Sequence, residues 1–319
     1  MGSRWCTSSA RTERIRTERV CDAVLSGVVT EELKRERPSG VWATAVGVAR
    51  VRARESAREN PLFRDPLAQA FAAAGGVWPS SPPLPDDEGA RRRWSAVAFS
   101  IVIRTKFLDD LLRRASASGI RQVVLLGAGM DSRAFRMDWP EGTRLFEVDT
   151  AAPLDFKASV LRQEGAVARC ERITVTVDLR DDWPGALAAA GHDPTLPTVW
   201  IAEGLLIYLP QDAVELLLGR IGARSAAGSR MGLTLGSSGV IERFAADATP
   251  GSTASMWVSE MPDDPVGWLA GHGWEAETHT VRERAAAYGR PVNTPPRRGE
   301  GPGGLVSAVR RQASGTTSG

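Results

Sequence analysis

Lysine is almost missing from this 319-residue chain: of its 40 basic residues 3 are lysine and 37 are arginine. With alanine and glycine also abundant, the bias reads as the coding habit of a GC-rich genome and not as a phosphate-binding device. The 38 acidic residues leave a formal charge of +2, so no electrostatic footprint for nucleic acid is present. Cysteine is scarce too. Cys6, Cys21 and Cys170 show no paired spacing, and no Cys/His cluster has the spacing of metal ligands. That excludes a disulfide scaffold, leaves no metal site to expect, and suits a reducing cytoplasm. Long apolar runs are lacking: the longest uncharged stretch, 66–85, is broken by five prolines and by Gly75-Gly76, so no membrane span is expected. The first forty residues have no apolar centre of the kind a signal peptide needs. The expectation is a soluble cytoplasmic protein, and 42% apolar residues suffice for a sizeable core.

The stretch that organises the chain runs from Arg121 to Thr150. An apolar run over Val123–Leu126 leads into Gly127-Ala-Gly129-Met-Asp131-Ser132, and a second apolar run ends in Glu147-Val-Asp149. It reads as strand, glycine turn, helix, strand. Glycines let the backbone turn sharply and come close to a ligand, and a carboxylate 22 residues past Gly127 is placed for the two hydroxyls of a ribose. Gly-x-Gly alone serves any tight strand-to-helix turn, so a plain turn stands as an equal reading at this point. A dinucleotide site wants a third glycine at position 132 and a pyrophosphate on the helix N-terminus; here Ser132 and Asp131 stand there. An acid repels pyrophosphate but tolerates the ammonium and sulfonium of S-adenosylmethionine (AdoMet). Asp131 is also a candidate helix N-cap, which is compatible with either reading.

Around this centre the pattern alternates. A charged extension over 1–38 carries RTER at Arg11 and again at Arg16. Helical spacing follows over 41–58, a short helix ends at Gly75-Gly76, and the proline-rich 78–93 reads as a loop. Between Trp94 and Ser116, Val97, Ile101, Leu108 and Leu111 form a helical stripe that also holds Arg104, which needs a carboxylate partner, structural or from a ligand. Further strands are expected at 173–177, 198–202 and 230–235, with helices opened by Pro153 and Pro210. Helical stretches near 240–246 and 266–270 precede two last apolar segments, 274–281 and 304–309, which suit an antiparallel pair closing the sheet. The expected organisation is the extension 1–38, a helical cap region 39–116, a Rossmann-like core 117–311 and a disordered tail 312–319.

Asp149, Asp178 and Glu203 fall at the tips of successive strands, on the side of the glycine loop. Each alone could be a cap or an ion-pair member; together they suggest a site. Asp149 suits the ribose diol, Asp178 the adenine amino group, and Arg104 a bidentate grip on the AdoMet carboxylate. Ten tryptophans against two tyrosines hint at an aromatic pocket, but most, such as Trp200 within a strand, should pack the core.

The chain resembles the leucine carboxyl methyltransferase family of class I AdoMet-dependent methyltransferases, in particular its bacterial secondary-metabolism branch. The resemblance covers about residues 41–311. It rests on Thr44-Ala-Val-Gly-Val-Ala with Arg52 and Glu55, Pro61-Leu-Phe-Arg-Asp-Pro-Leu-Ala68, Arg104-Thr-Lys-Phe-Leu-Asp-Asp110, Leu126-Gly-Ala-Gly-Met-Asp-Ser-Arg133, Phe146-Glu-Val-Asp149 and Ala202-Glu-Gly-Leu-Leu-Ile-Tyr-Leu-Pro210. It implies an α/β fold with a seven-stranded, mostly parallel Rossmann-like sheet, helices on both faces and a helical N-terminal cap. It also implies cofactor contacts from Arg104, Gly127, Asp149, the Asp178-Leu179 pair and Glu203, with Arg52 helping to hold the carboxylate; the glycine stretch itself adds Gly129 and Asp131 as cofactor-binding candidates. Ser132 replaces the more usual threonine. The expected activity is methyl transfer from AdoMet to a small-molecule acceptor, at oxygen first and nitrogen or carbon as alternatives. Glu203 and Tyr208 are the candidate proton acceptors. A non-catalytic AdoMet-binding regulator and an NAD-dependent dehydrogenase are the rival readings. No membrane or nucleic-acid partner is expected, and the chain is read as a monomer or a homodimer.

Overall fold

The computed structural model describes residues 40–76, 88–236, 258–259, 262–292 and 304–311. The charged extension, the tail and the helix expected near 240–246 lie outside the described residues. Among the described residues, three helices precede the first strand: α1 (Gly40–Ser56), α2 (Ala68–Ala74) and α3 (Glu88–Ala117). Seven strands follow: β1 (Gln122–Leu126), β2 (Arg144–Asp149), β3 (Glu171–Thr176), β4 (Thr198–Ala202), β5 (Arg230–Thr234), β6 (Trp274–His279) and β7 (Leu305–Arg310). Between them stand α4 (Arg133–Arg136), α5 (Ala151–Gln163), α6 (Trp183–Ala189), a 3-10 turn at Leu206–Tyr208, α7 (Gln211–Ala223), α8 (Pro265–Gly271) and α9 (Val281–Ala287).

The strands join one seven-stranded sheet in the order β3-β2-β1-β4-β5-β7-β6. The first five are parallel, and β7 runs antiparallel between β5 and β6. Central strands are buried on both faces, which is why β1 and β4 read as unbroken apolar runs. Alternation divides them: Val123, Leu125, Val199 and Ile201 enter one core layer with Leu108, Leu112 and Val160 of the helices, while Val124, Leu126, Phe146 and Trp200 enter the other with Trp183, Leu217 and Leu269. Trp183, Trp200 and Trp274 are fully buried, so these three tryptophans are core packing. Helix α3 lies close to β5 because Gly232 has no side chain; a Cβ there would meet Leu108 Cδ2 at 2.7 Å. Chain order reverses at β1, whose neighbours are β2 and β4. In open α/β sheets that reversal opens a crevice at the carboxyl ends of the strands.

Two sequence expectations need correction. Residues 88–93, read as loop, are the first turns of α3, where Glu88 pairs with Arg92 at 2.5 Å one turn on and no proline interrupts. The strand expected over 274–281 ends at His279, and α9 follows. Thr280 caps α9 by accepting from the Glu283 backbone N–H at 3.0 Å, while the Glu283 carboxylate accepts from the Thr280 N–H at 2.7 Å.

Candidate active site

The crevice beside β1 is built from four strand ends. Past β1 the chain turns at Gly127 (φ +62°) and Gly129 (φ +43°), left-handed conformations that disfavour any side chain. Helix α1 leans on this turn: a Cβ at Gly129 would sit 3.0 Å from the Ala45 Cβ. At the tip of β2, Asp149 Oδ2 accepts from the Gly129 N–H at 2.7 Å and Oδ1 from the Thr150 N–H at 2.8 Å. Burial raises the Asp149 pKa, and those backbone donors offset only part of the rise. A carboxylate has about four acceptor positions, so Asp149 keeps capacity for further donors.

Glu203, at the tip of β4, is held from two sides. Its Oε1 accepts from Arg104 Nε at 3.1 Å and Thr105 Oγ1 at 3.4 Å, and its Oε2 from Arg133 Nη2 at 2.8 Å. Burial disfavours its charge, but Arg133 and Arg104 outweigh that and lower the pKa. A carboxylate kept ionised in this way is a weak proton acceptor. Arg104 thereby acquires the structural partner its buried stripe demanded. Its two Nη atoms have no acceptor among the described residues and lie against Gly204, where a Cβ would come within 3.0 Å of Nη2.

Arg133 was quoted within the glycine motif without a role, and the structure makes it a centre. It is 1% exposed, and each of its three side-chain nitrogens meets a different carboxylate: Nε to Asp109 Oδ1 at 2.8 Å, Nη1 to Asp131 Oδ2 at 2.5 Å, Nη2 to Glu203 Oε2 at 2.8 Å. Asp131 Oδ1 also accepts from the Arg133 backbone N–H at 2.7 Å, but the N-cap of α4 is Ser132, so Asp131 stands one residue before the cap position the sequence suggested for it. Arg136 completes Asp109 with two bonds of 2.7 Å. Burial would neutralise Asp109, but Arg136 and Arg133 drive its pKa far below the ordinary carboxylate range. From α1, Arg52 Nε pairs with Asp65 at 3.0 Å while Nη2 donates to the Met130 carbonyl, so a residue expected to grip the cofactor braces the glycine loop. The only sequence sign of these roles was position: Asp109 next to Leu108 on the buried stripe, and Arg133 one turn before Arg136.

Asp178 lies just beyond β3, where Arg180 occupies both its oxygens, Oδ2 at 2.6 Å and Oδ1 at 3.0 Å. Water screens an exposed pair of this kind, so a ligand can displace Arg180 at small cost. Leu179 packs on the core layer that holds Val175 and Trp183. Tyr208 ends the 3-10 turn after Glu203, half-buried, and its hydroxyl has no hydrogen-bond partner among the described residues.

The sequence that forms this site matches a family model. The description of that model is leucine carboxyl methyltransferase, and it covers residues 45–222. The chain belongs to the leucine carboxyl methyltransferase family. Within it, a Streptomyces avermitilis protein provisionally named an S-adenosyl-L-methionine-dependent methyltransferase is 84% identical over 283 residues, 89% of this chain and 100% of that one. A Streptomyces coelicolor protein of the same provisional name is 81% identical over the same shares of both chains. Among solved structures, a provisionally named methyltransferase from Thermobifida fusca is similar in fold, with a TM-score of 0.52 at 18% identity over 88% of this chain and 98% of that one. The family is one of AdoMet-dependent methyltransferases, so the enzyme class and cofactor implied by the sequence resemblance hold. No helix among the described residues is long and apolar enough to cross a membrane.

Proposed function

We propose that the crevice at the ends of β1, β2 and β4 binds AdoMet and passes its methyl group to a small-molecule acceptor, at oxygen in the first instance. The observation that carries this reading is the pairing of Asp149 with the Gly129 N–H, which sets a ribose-seeking carboxylate against a turn that lets a nucleoside come close. When bound, AdoMet supplies a methyl group already activated by its sulfonium. The Nη edge of Arg104 fits the amino acid carboxylate by a two-point grip. Asp149 receives the ribose hydroxyls, and Asp178 with Leu179 flanks the adenine once Arg180 yields.

Methyl transfer needs an acceptor lone pair in line with the methyl–sulfur bond; the new bond forms as that bond breaks, and an acceptor hydroxyl gives up its proton. Positioning does most of the work in such a displacement. Glu203, committed to Arg104 and Arg133, serves placement, which leaves Tyr208 as the side chain able to bond the acceptor proton. A secondary-metabolite acceptor is the first class to screen.

Calorimetry with AdoMet, S-adenosylhomocysteine and NAD tests the cofactor assignment. Binding of the first two and not the third is expected; NAD binding alone would overturn it. Mass spectrometry of phenol, carboxylate, amine and indole acceptors after incubation with AdoMet tests the transfer. Tight cofactor binding with no acceptor gaining 14 mass units, about one methylene, would favour a binding protein without turnover.

A further inference from the structure

Outside the cofactor contacts just assigned, one side chain joins more of the site than any other and itself faces no ligand. We infer that Arg133 is the positioning residue of the site, acting through Glu203 to aim Arg104 at the carboxylate of the cofactor. The inference rests on the cofactor reading above and extends it to a residue that reading does not use.

The geometry is a chain of three groups. Arg133 Nη2 donates to Glu203 Oε2 at 2.8 Å, and Glu203 Oε1 accepts from Arg104 Nε at 3.1 Å. Pinned to Glu203 by its Nε, the Arg104 guanidinium lays its two Nη atoms against Gly204. Arg133 cannot swing, because its other two nitrogens are spent on Asp109 and Asp131 and its side chain is buried. Asp109 cannot swing either, being gripped by Arg136 as well. Position therefore passes from α3 and the glycine loop, through Arg133, to the acid at the tip of β4 and on to Arg104. A planar fork with nitrogens fixed in different directions is required; a lysine carries its charge on one nitrogen and cannot meet three carboxylates set apart in this way.

A residue that merely neutralises buried carboxylates would affect every ligand alike. A residue that aims Arg104 affects only ligands with a carboxylate for Arg104 to hold. The test compares S-adenosylhomocysteine with 5′-methylthioadenosine, which keeps the nucleoside and lacks the amino acid end. In Arg133→Lys, the dissociation constant of S-adenosylhomocysteine should rise about tenfold or more, the loss expected when a charged hydrogen-bonding pair is misaligned, while that of methylthioadenosine stays within about twofold. Arg104→Ala should show the same split, and adding Arg133→Lys to it should cost little more. Glu203→Gln removes the charge between the two arginines without touching Arg133, so it decides the question by the same split where Arg133→Lys does not fold. Equal weakening of both ligands, or of neither, overturns the inference. Wild-type protein that binds neither nucleoside overturns the cofactor reading and this inference with it, and a wild type that binds both makes the two failures distinguishable.

Discussion

At the scale of single residues, the site is a balanced set of charges in which hardly any group is free. Arg52, Arg104, Arg133 and Arg136 face Asp65, Asp109, Asp131 and Glu203. Removing one partner leaves the other charged and buried, which costs more than the pair itself contributes. Asp149 stands apart because its partners are backbone N–H groups. Asp149→Ala should weaken AdoMet binding by about 1–3 kcal/mol by leaving the ligand hydroxyls unpaired; unchanged affinity in a folded variant, measured by calorimetry, would remove Asp149 from the site. Gly204 is the second test at this scale. Its φ of +62° and the closeness of Arg104 mean that Gly204→Ala should lose ~1–2 kcal/mol of stability in a thermal melt and displace the guanidinium as well. A variant as stable as wild type would show that the loop relaxes without strain.

At the scale of elements, caps fix the ends of the short helices that pack around the sheet and α3. Asp182 caps α6 by accepting from the Gly185 N–H at 3.1 Å, and Asp264 caps α8 from the Gly267 N–H at 2.9 Å, with Pro184 at the second position of α6 and Pro265 at the first of α8. Helix α9 carries the full reciprocal box between Thr280 and Glu283. Ala285 of that helix is buried, and Arg284 stacks over Phe107 of α3 at 5.6 Å, so α9 props the helix that carries Arg104. Thr280→Ala should cost about 1 kcal/mol, read as a drop of ~2 °C in melting temperature. A drop many times larger would mean that α9 is not the local unit described.

At the scale of the molecule, buried titratable groups tie stability to pH in two windows. Burial lowers the His192 pKa from 6.5 to about 4, with its Nε2 beside Thr198 Oγ1 at 3.0 Å among Phe146 and Trp200. Folding keeps it neutral where the unfolded chain takes a proton, so stability is full above about 6.5 and is lost as pH falls toward 4. Burial also opposes ionisation of Asp109, Asp131 and Glu203, yet Arg136, Arg133 and Arg104 lower all three. Their contribution is present above the ordinary carboxylate range and is lost as pH falls below it. Asp149, raised by burial, works in the opposite sense. Melting temperature followed from pH 7 downward should therefore decline in two stages, about 6.5 to 4 and then below 4. His192→Asn should flatten the first stage and Asp109→Asn the second. A His192→Asn profile that matches wild type between those values would rule out His192 as the source.

The sequence by itself determined the elements and the family. Strand periodicity, glycine turns and proline starts act within a few residues, so β1 to β5, the helices between them and the acids at the strand tips were readable in order. The capping box of Thr280 was equally local and readable, though unused. Only the tertiary structure decided which charges meet: Arg133 and Glu203 are 70 residues apart in the chain, and Arg104 and Glu203 are 99 apart. It alone set β7 between β5 and β6, placed Glu203 between Arg104 and Arg133, and laid Arg52 against the glycine loop. Pairing across such distances depends on how helices and strands stack, and a stack has no period in the sequence that produces it.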